Sequence, residues 1–182
     1  FINFKQNNNM KKIILSAVAV LAFGFANAQS SEMKFGVKAG FTSSNFTGDF
    51  DSDGTTGFYL GGLVDLAVSE SFHVQPELLY SMEGAKDAKL NYLRIPIMAK
   101  YYVMEGLSLQ AGPELAFVAG GDSAIKDSVK SMDYGIGIGA GYELASGLMF
   151  DARYNLGMAN IVKDGPGKVG TASINIGLGY RF

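Results

Sequence analysis

The chain has 182 residues, no cysteine, one histidine and a net charge of −2 at pH 7. That composition excludes disulfides, cysteine-based metal centres, a catalytic thiol and a histidine-rich metal site. It offers no electrostatic case for nucleic-acid binding, and its 24 glycines lack the G-X-Y period of collagen.

Residues 1–9 are polar and featureless, and Met10 is the expected true start. Residues 10–28 read as a signal peptide. Lys11 and Lys12 supply its charged segment, Ile13 to Phe25 its apolar run, and Ala26 and Ala28 an A-x-A cleavage site. The apolar run falls short of the roughly 20 residues a spanning helix needs. Residues 29–182 are then expected to form a single exported domain.

From Met33 onward the apolar pattern has a period of two, the mark of strands. Phe35, Val37, Ala39 and Phe41 alternate with small or charged residues, and the same rhythm returns seven more times, ending with Ile174, Ile176, Leu178, Tyr180 and Phe182. Short connections are expected at 69–71, 104–106 and 145–147. Longer polar ones are expected at 44–56, 83–90, 120–131 and 157–169. Strands of about ten residues with short turns at one end and longer loops at the other mark an outer-membrane barrel.

A soluble sandwich or lipocalin-like barrel would also alternate. Aromatic placement separates them. Phe41, Phe58, Tyr80, Phe117, Tyr134 and Tyr154 fall at the long-loop ends of the apolar face, and Phe35, Phe72, Tyr101, Tyr142, Phe150, Tyr180 and Phe182 at the short-turn ends. Two aromatic girdles around an aliphatic band fit a lipid-facing exterior. The expected fold is all-β: an eight-stranded antiparallel up-and-down transmembrane β-barrel.

The terminal run Gly177-Leu178-Gly179-Tyr180-Arg181-Phe182 resembles the β-signal read by the barrel-assembly machinery, with Gly177, Tyr180 and Phe182 as its characteristic positions. The segment Asn91-Tyr92-Leu93-Arg94-Ile95-Pro96-Ile97, followed by Gln110-Ala111-Gly112-Pro113, resembles the PorT-like "porin family" of outer-membrane barrels in Bacteroidota. The likeness covers 33–182. It implies an outer-membrane location and an OmpA/OmpX-like eight-stranded barrel, but no defined activity; one branch of the family assists protein secretion.

With the polar face turned inward, the lumen receives Asp65, Glu77, Glu114, Asp133, Glu143 and Asp151 against Lys34, Lys38, Arg94, Lys100, Arg153 and Arg181. Buried charges persist only when paired. An internal ion-pair network is therefore expected, with a charged path for a small solute as the sharper alternative. Eight strands leave an interior that side chains just fill. Gly135, Gly137, Gly139 and Gly141 on the same face are expected to let the wall bend or to admit bulky neighbours such as Tyr102.

Other motifs carry less. Gly135-x-Gly137-x-x-Ala140 imitates a dinucleotide fingerprint but opens no helix. Asp49, Asp51 and Asp53 imitate half an EF-hand, yet Leu60 stands where the bidentate carboxylate belongs. They remain a weak candidate for loose Ca²⁺ binding beside the plainer reading of a solvated turn. His73 lies about 26 Å along its strand from Ser81, and Ser108 has no supporting motif, so no catalytic pair is expected. No cofactor is implied. The expected role is structural or interactive: outer loops that meet lipopolysaccharide, other cells or an unknown surface or secretion partner. A narrow channel and an accessory of a secretion apparatus are the alternatives. With nothing after Phe182, a peptidoglycan-binding module is not expected.

Overall fold

The computed structural model describes residues 33–47, 55–85, 88–121, 132–158 and 170–182. Eight strands follow in chain order: β1 (Met33–Thr47), β2 (Thr55–Ala67), β3 (Phe72–Ala85), β4 (Ala88–Met104), β5 (Leu107–Gly121), β6 (Met132–Glu143), β7 (Leu148–Gly157) and β8 (Gly170–Arg181). Each pairs with the next, and β1 pairs antiparallel with β8, so the sheet closes on itself. Closure removes every sheet edge, which a membrane requires because lipid cannot hydrogen-bond a free backbone group.

The burial pattern is that of a protein turned inside out. Phe41 and Ile176 are each 61% exposed, whereas Asp65 and Met98, on the other parity, are 1% exposed. Apolar side chains point to where lipid tails will solvate them, and the interior is a mixture of polar and aliphatic groups.

The turns at one end are short. Gly106, with φ of +77°, closes the β4–β5 turn, and Gly147, with φ of +87°, the β7–β8 turn. Both lie in the left-handed region that favours glycine. Short turns of this kind are periplasmic in outer-membrane barrels.

At the other end the strands outrun the sequence pattern. The 83–90 connection is not a long loop, because β3 and β4 stay paired to Ala85↔Ala88 and only residues 86–87 lie between them. Beyond the hydrocarbon layer both faces of a strand meet water. The apolar alternation therefore stops while the hydrogen-bonded ladder continues.

Three prolines interrupt neighbouring ladders. Pairing breaks between Leu63↔Glu77 and Leu66↔Val74 beside Pro76, between Pro76↔Ile97 and Leu79↔Arg94 beside Pro96, and between Pro96↔Glu114 and Ala99↔Ala111 beside Pro113. Proline has no N–H to donate. The gaps form a diagonal seam across β2 to β5.

Candidate functional site

The site is the lumen, and its charges fall into three tiers. The middle tier crosses the barrel. Glu77 on β3 accepts two hydrogen bonds from Arg153 on β7, at 2.8 and 2.6 Å. Lys38 on β1 donates to Asp151 at 2.7 Å and lies 3.6 Å from Glu77. Arg153 Nε sits 3.1 Å from Asp151 and donates to Gln110 at 3.0 Å. Strand parity sends all five side chains inward, and closure brings β1, β3, β5 and β7 within reach of one another.

The tier nearest the turns is built on Asp65. It faces Lys100 at 3.3 Å and Arg181 at 3.2 Å, and it bonds to His73 Nδ1. Arg181 also pairs with Glu143, which accepts the Tyr102 hydroxyl at 3.0 Å. Lys100 donates to Gln75 at 3.0 Å.

The tier nearest the loops is built on Arg94. It donates to Glu83 at 2.6 Å through Nη2 and to Glu114 at 2.6 Å through Nη1. Ser44 and Ser81 also donate to Glu83, at 3.2 and 2.7 Å. Charge-assisted bonds of this length are the strong kind, and each tier joins strands remote in sequence.

Glu83 belongs to this network although the apolar alternation ends before it and the 83–90 stretch is polar. It continues the odd-numbered inward parity of His73, Gln75, Glu77, Leu79 and Ser81, and that parity was the available signal. Lys34 and Asp133 take inward register positions, Lys34 opposite Asp65 and Asp133 opposite Ala116.

The β6 glycines are slots, and Tyr102 is not what fills them. A Cβ on Gly139 would meet Arg153, one on Gly141 would meet Gln110 Nε2 at 2.3 Å, and one on Gly137 would meet Asn155 Oδ1 at 2.5 Å. The missing side chains make room for Arg153 and Gln110 of the middle tier and for Asn155 beside it. Gly177 of β8 does the same for Tyr59, whose hydroxyl would lie 2.2 Å from a Cβ there.

Among the described residues a lumen cavity of about 20 Å³ lies beside Lys38, Lys100, Gln110 and Arg153, room for one water. Ser81 donates to Glu83, and Ser108 donates to the Gly141 carbonyl at 3.3 Å. His73 instead bonds to Asp65 and packs edge-on against Tyr102. The lumen is thus equipped to hold charge in place, and the recorded bonds of these two hydroxyls go elsewhere than to the imidazole. Of the three positions expected to form the assembly signal, Gly177 faces inward while Tyr180 and Phe182 are exposed on the lipid side. Asp49, Asp51 and Asp53, and the expected signal segment with Ala26 and Ala28, lie outside the described residues.

The fold recurs in solved structures. Neisserial surface protein A is 15% identical, with a TM-score of 0.54 over 81% of this chain and 97% of its own. Ail, the attachment invasion locus protein of Yersinia pestis, is 18% identical, with a TM-score of 0.54 over 83% of this chain and 99% of its own. The outer membrane enzyme PagL is 16% identical, with a TM-score of 0.56 over 80% and 98%. At such identities the likeness is one of fold, and the same barrel carries a surface protein, an attachment protein and an enzyme. No curated protein matches the sequence. The model of the outer membrane protein beta-barrel domain matches residues 15–182. A closed barrel with a lipid-facing exterior and that match together mean that the chain belongs to the outer membrane protein beta-barrel domain family and resides in the bacterial outer membrane.

Proposed function

We propose that the protein is a non-enzymatic, non-conducting barrel that anchors surface loops for contact with lipopolysaccharide or a protein partner. The observation that carries this reading is the middle tier: Lys38, Glu77, Asp151 and Arg153 bridge β1, β3 and β7 and occupy the bore at mid-depth. Opening it would leave buried charges unpaired. A pore for solutes favours a ring of one sign, and this tier holds two charges of each.

The finer assignment is to the PorT-like type of Bacteroidota. It rests on the Asn91–Ile97 and Gln110–Pro113 segments, which occupy adjacent strands, with Ala99 paired to Ala111 next to the break at Pro96 and Pro113. Residues 10–28 act in this reading as the export signal, cleaved after Ala28, and the C-terminal run engages the barrel-assembly machinery.

The test is conductance of the refolded barrel in a planar bilayer, with folding checked by heat-shifted gel mobility. The expected result is a folded barrel without unitary steps. Stable steps whose selectivity changes in Lys100→Ala and Glu114→Ala would overturn it in favour of a narrow channel.

A further inference from the structure

The lipid-facing wall is not uniformly convex. A groove of about 790 Å³ runs over its outside from β5 to β2. Its course follows the strand register. Leu107, Tyr142, Phe150, Leu178, Ala39 and Leu60 form one continuous cross-strand row over six strands. Ala140 and Ala152, paired to each other in the row above, join Ala39 in making a floor of methyl groups. Larger side chains flank that floor: Tyr142, Phe150 and Leu178 in the row on the turn side, Ile176 and Phe41 in the same row as Ala140 and Ala152. At the far end Phe41 and Phe58, with ring centroids 5.3 Å apart, stand above the row.

We propose that this groove holds one acyl chain of a phospholipid of the inner leaflet, and holds it more firmly than the surrounding lipid. Three features select that occupant. The first is length and pitch. Five strand spacings of about 4.8 Å make a path of roughly 24 Å. With strands tilted about 40°, that path climbs roughly 15 Å, half the ~30 Å hydrocarbon core and so one leaflet.

The second is the point of entry. Leu107 directly follows the two-residue turn, so the groove opens on the periplasmic side, where the inner leaflet's headgroups lie, and rises from there. The Phe41–Phe58 pair closes its upper end.

The third is shape. A two-fold contact with a second copy sets each patch against itself. Groove would then meet groove and stay unfilled. A linear, flexible chain fills it and gains dispersion contacts with the alanine floor that a convex wall cannot offer.

The test reconstitutes the full chain in bilayers of phosphatidylethanolamine and lipid A at equal mole fraction, followed by native mass spectrometry of the extracted protein. One retained phosphatidylethanolamine per barrel is the expected result. Ala140→Leu with Ala152→Leu fills the floor and should lower that retention about fivefold. Ala99→Leu with Ala111→Leu makes the same change on the wall outside the groove and should leave it unaltered. Ala39→Leu alone serves if the double variant loses its heat-shifted mobility. Retention of lipid A instead of phosphatidylethanolamine, recovery as a dimer, or equal retention in filled and unfilled barrels would each overturn the proposal.

Discussion

Arg153 and Glu77 meet across the bore from β7 and β3, 76 residues apart in the chain, through two parallel hydrogen bonds of 2.8 and 2.6 Å. Their side chains are 4% and 0% exposed. A pair this buried has little water to turn to if one partner is lost. Arg153→Ala is expected to cost about 3–5 kcal/mol of stability, because Glu77 is left as a buried charge with the more distant Lys38 and the neutral Gln75 amide in place of its bidentate partner. Replacing both, as Arg153→Leu with Glu77→Met, should recover most of that loss. Urea unfolding in lipid vesicles, followed by gel mobility, measures both.

Tyr59 makes the opposite prediction. Its ring is buried, while its hydroxyl has no hydrogen-bond partner among the described residues. Tyr59→Phe removes an unsatisfied polar atom and keeps the packing. It should be neutral or stabilising by up to about 1 kcal/mol. Tyr59→Ala should cost about 3–5 kcal/mol, since the cavity opens where Gly40 and Gly177 cannot fill it. The same unfolding titration separates the two.

The glycine slots can be tested one against another. A Cβ on Gly139 would fall 2.2 Å from the Ala152 carbonyl oxygen and 2.9 Å from Arg153, whereas one on Gly62 would meet nothing closer than 3.8 Å. Gly139→Val should destabilise by about 1–3 kcal/mol through overpacking. Gly62→Ala should leave the midpoint of unfolding nearly unchanged.

The proline seam should be visible in backbone exchange. Pro76, Pro96 and Pro113 stand at three adjacent gaps in pairing. Amides flanking those gaps, such as those of Ile97 and Gly112, should exchange faster than amides at the same depth on β7 and β8, where pairing is continuous. Residue-resolved hydrogen exchange of the reconstituted barrel would show it. Equal protection on both sides would mean that other groups satisfy the seam.

On the outer wall, Ile138 is 52% exposed and lies midway between Tyr134 and Tyr142 on β6. Ile138→Arg would put a charge near the bilayer midplane and should cost about 2–4 kcal/mol in vesicle unfolding. A cost near zero would remove that stretch of β6 from the hydrocarbon layer.

Which face of each strand meets lipid is legible in the amino-acid order alone. Period-two alternation is a local property, and one wrong step of register would expose every charge from Asp65 to Arg181 to hydrocarbon. The number of strands, the short turns and the aromatic girdles follow from the same local pattern. Strand ends did not follow from it. Past the membrane both faces of a strand are wetted, so Glu83, Gly84 and Ala85 carry no alternation while their backbone still pairs with β4.

Which charges meet was decided only by tertiary structure. Parity sends Lys38, Glu77, Asp151 and Arg153 inward. Closure of β8 onto β1 and the stagger between strands set the depth at which each arrives, and no residue's neighbours in the chain contain that information. The fit of Arg153 over Gly139 and of Tyr59 over Gly40 and Gly177 is likewise a property of the closed barrel. So is the groove over Ala39, Ala140 and Ala152: three alanines up to 113 residues apart become neighbours only when the sheet closes. Pattern is carried by adjacent residues, but pairing across a bore or along a wall depends on register summed around all eight strands.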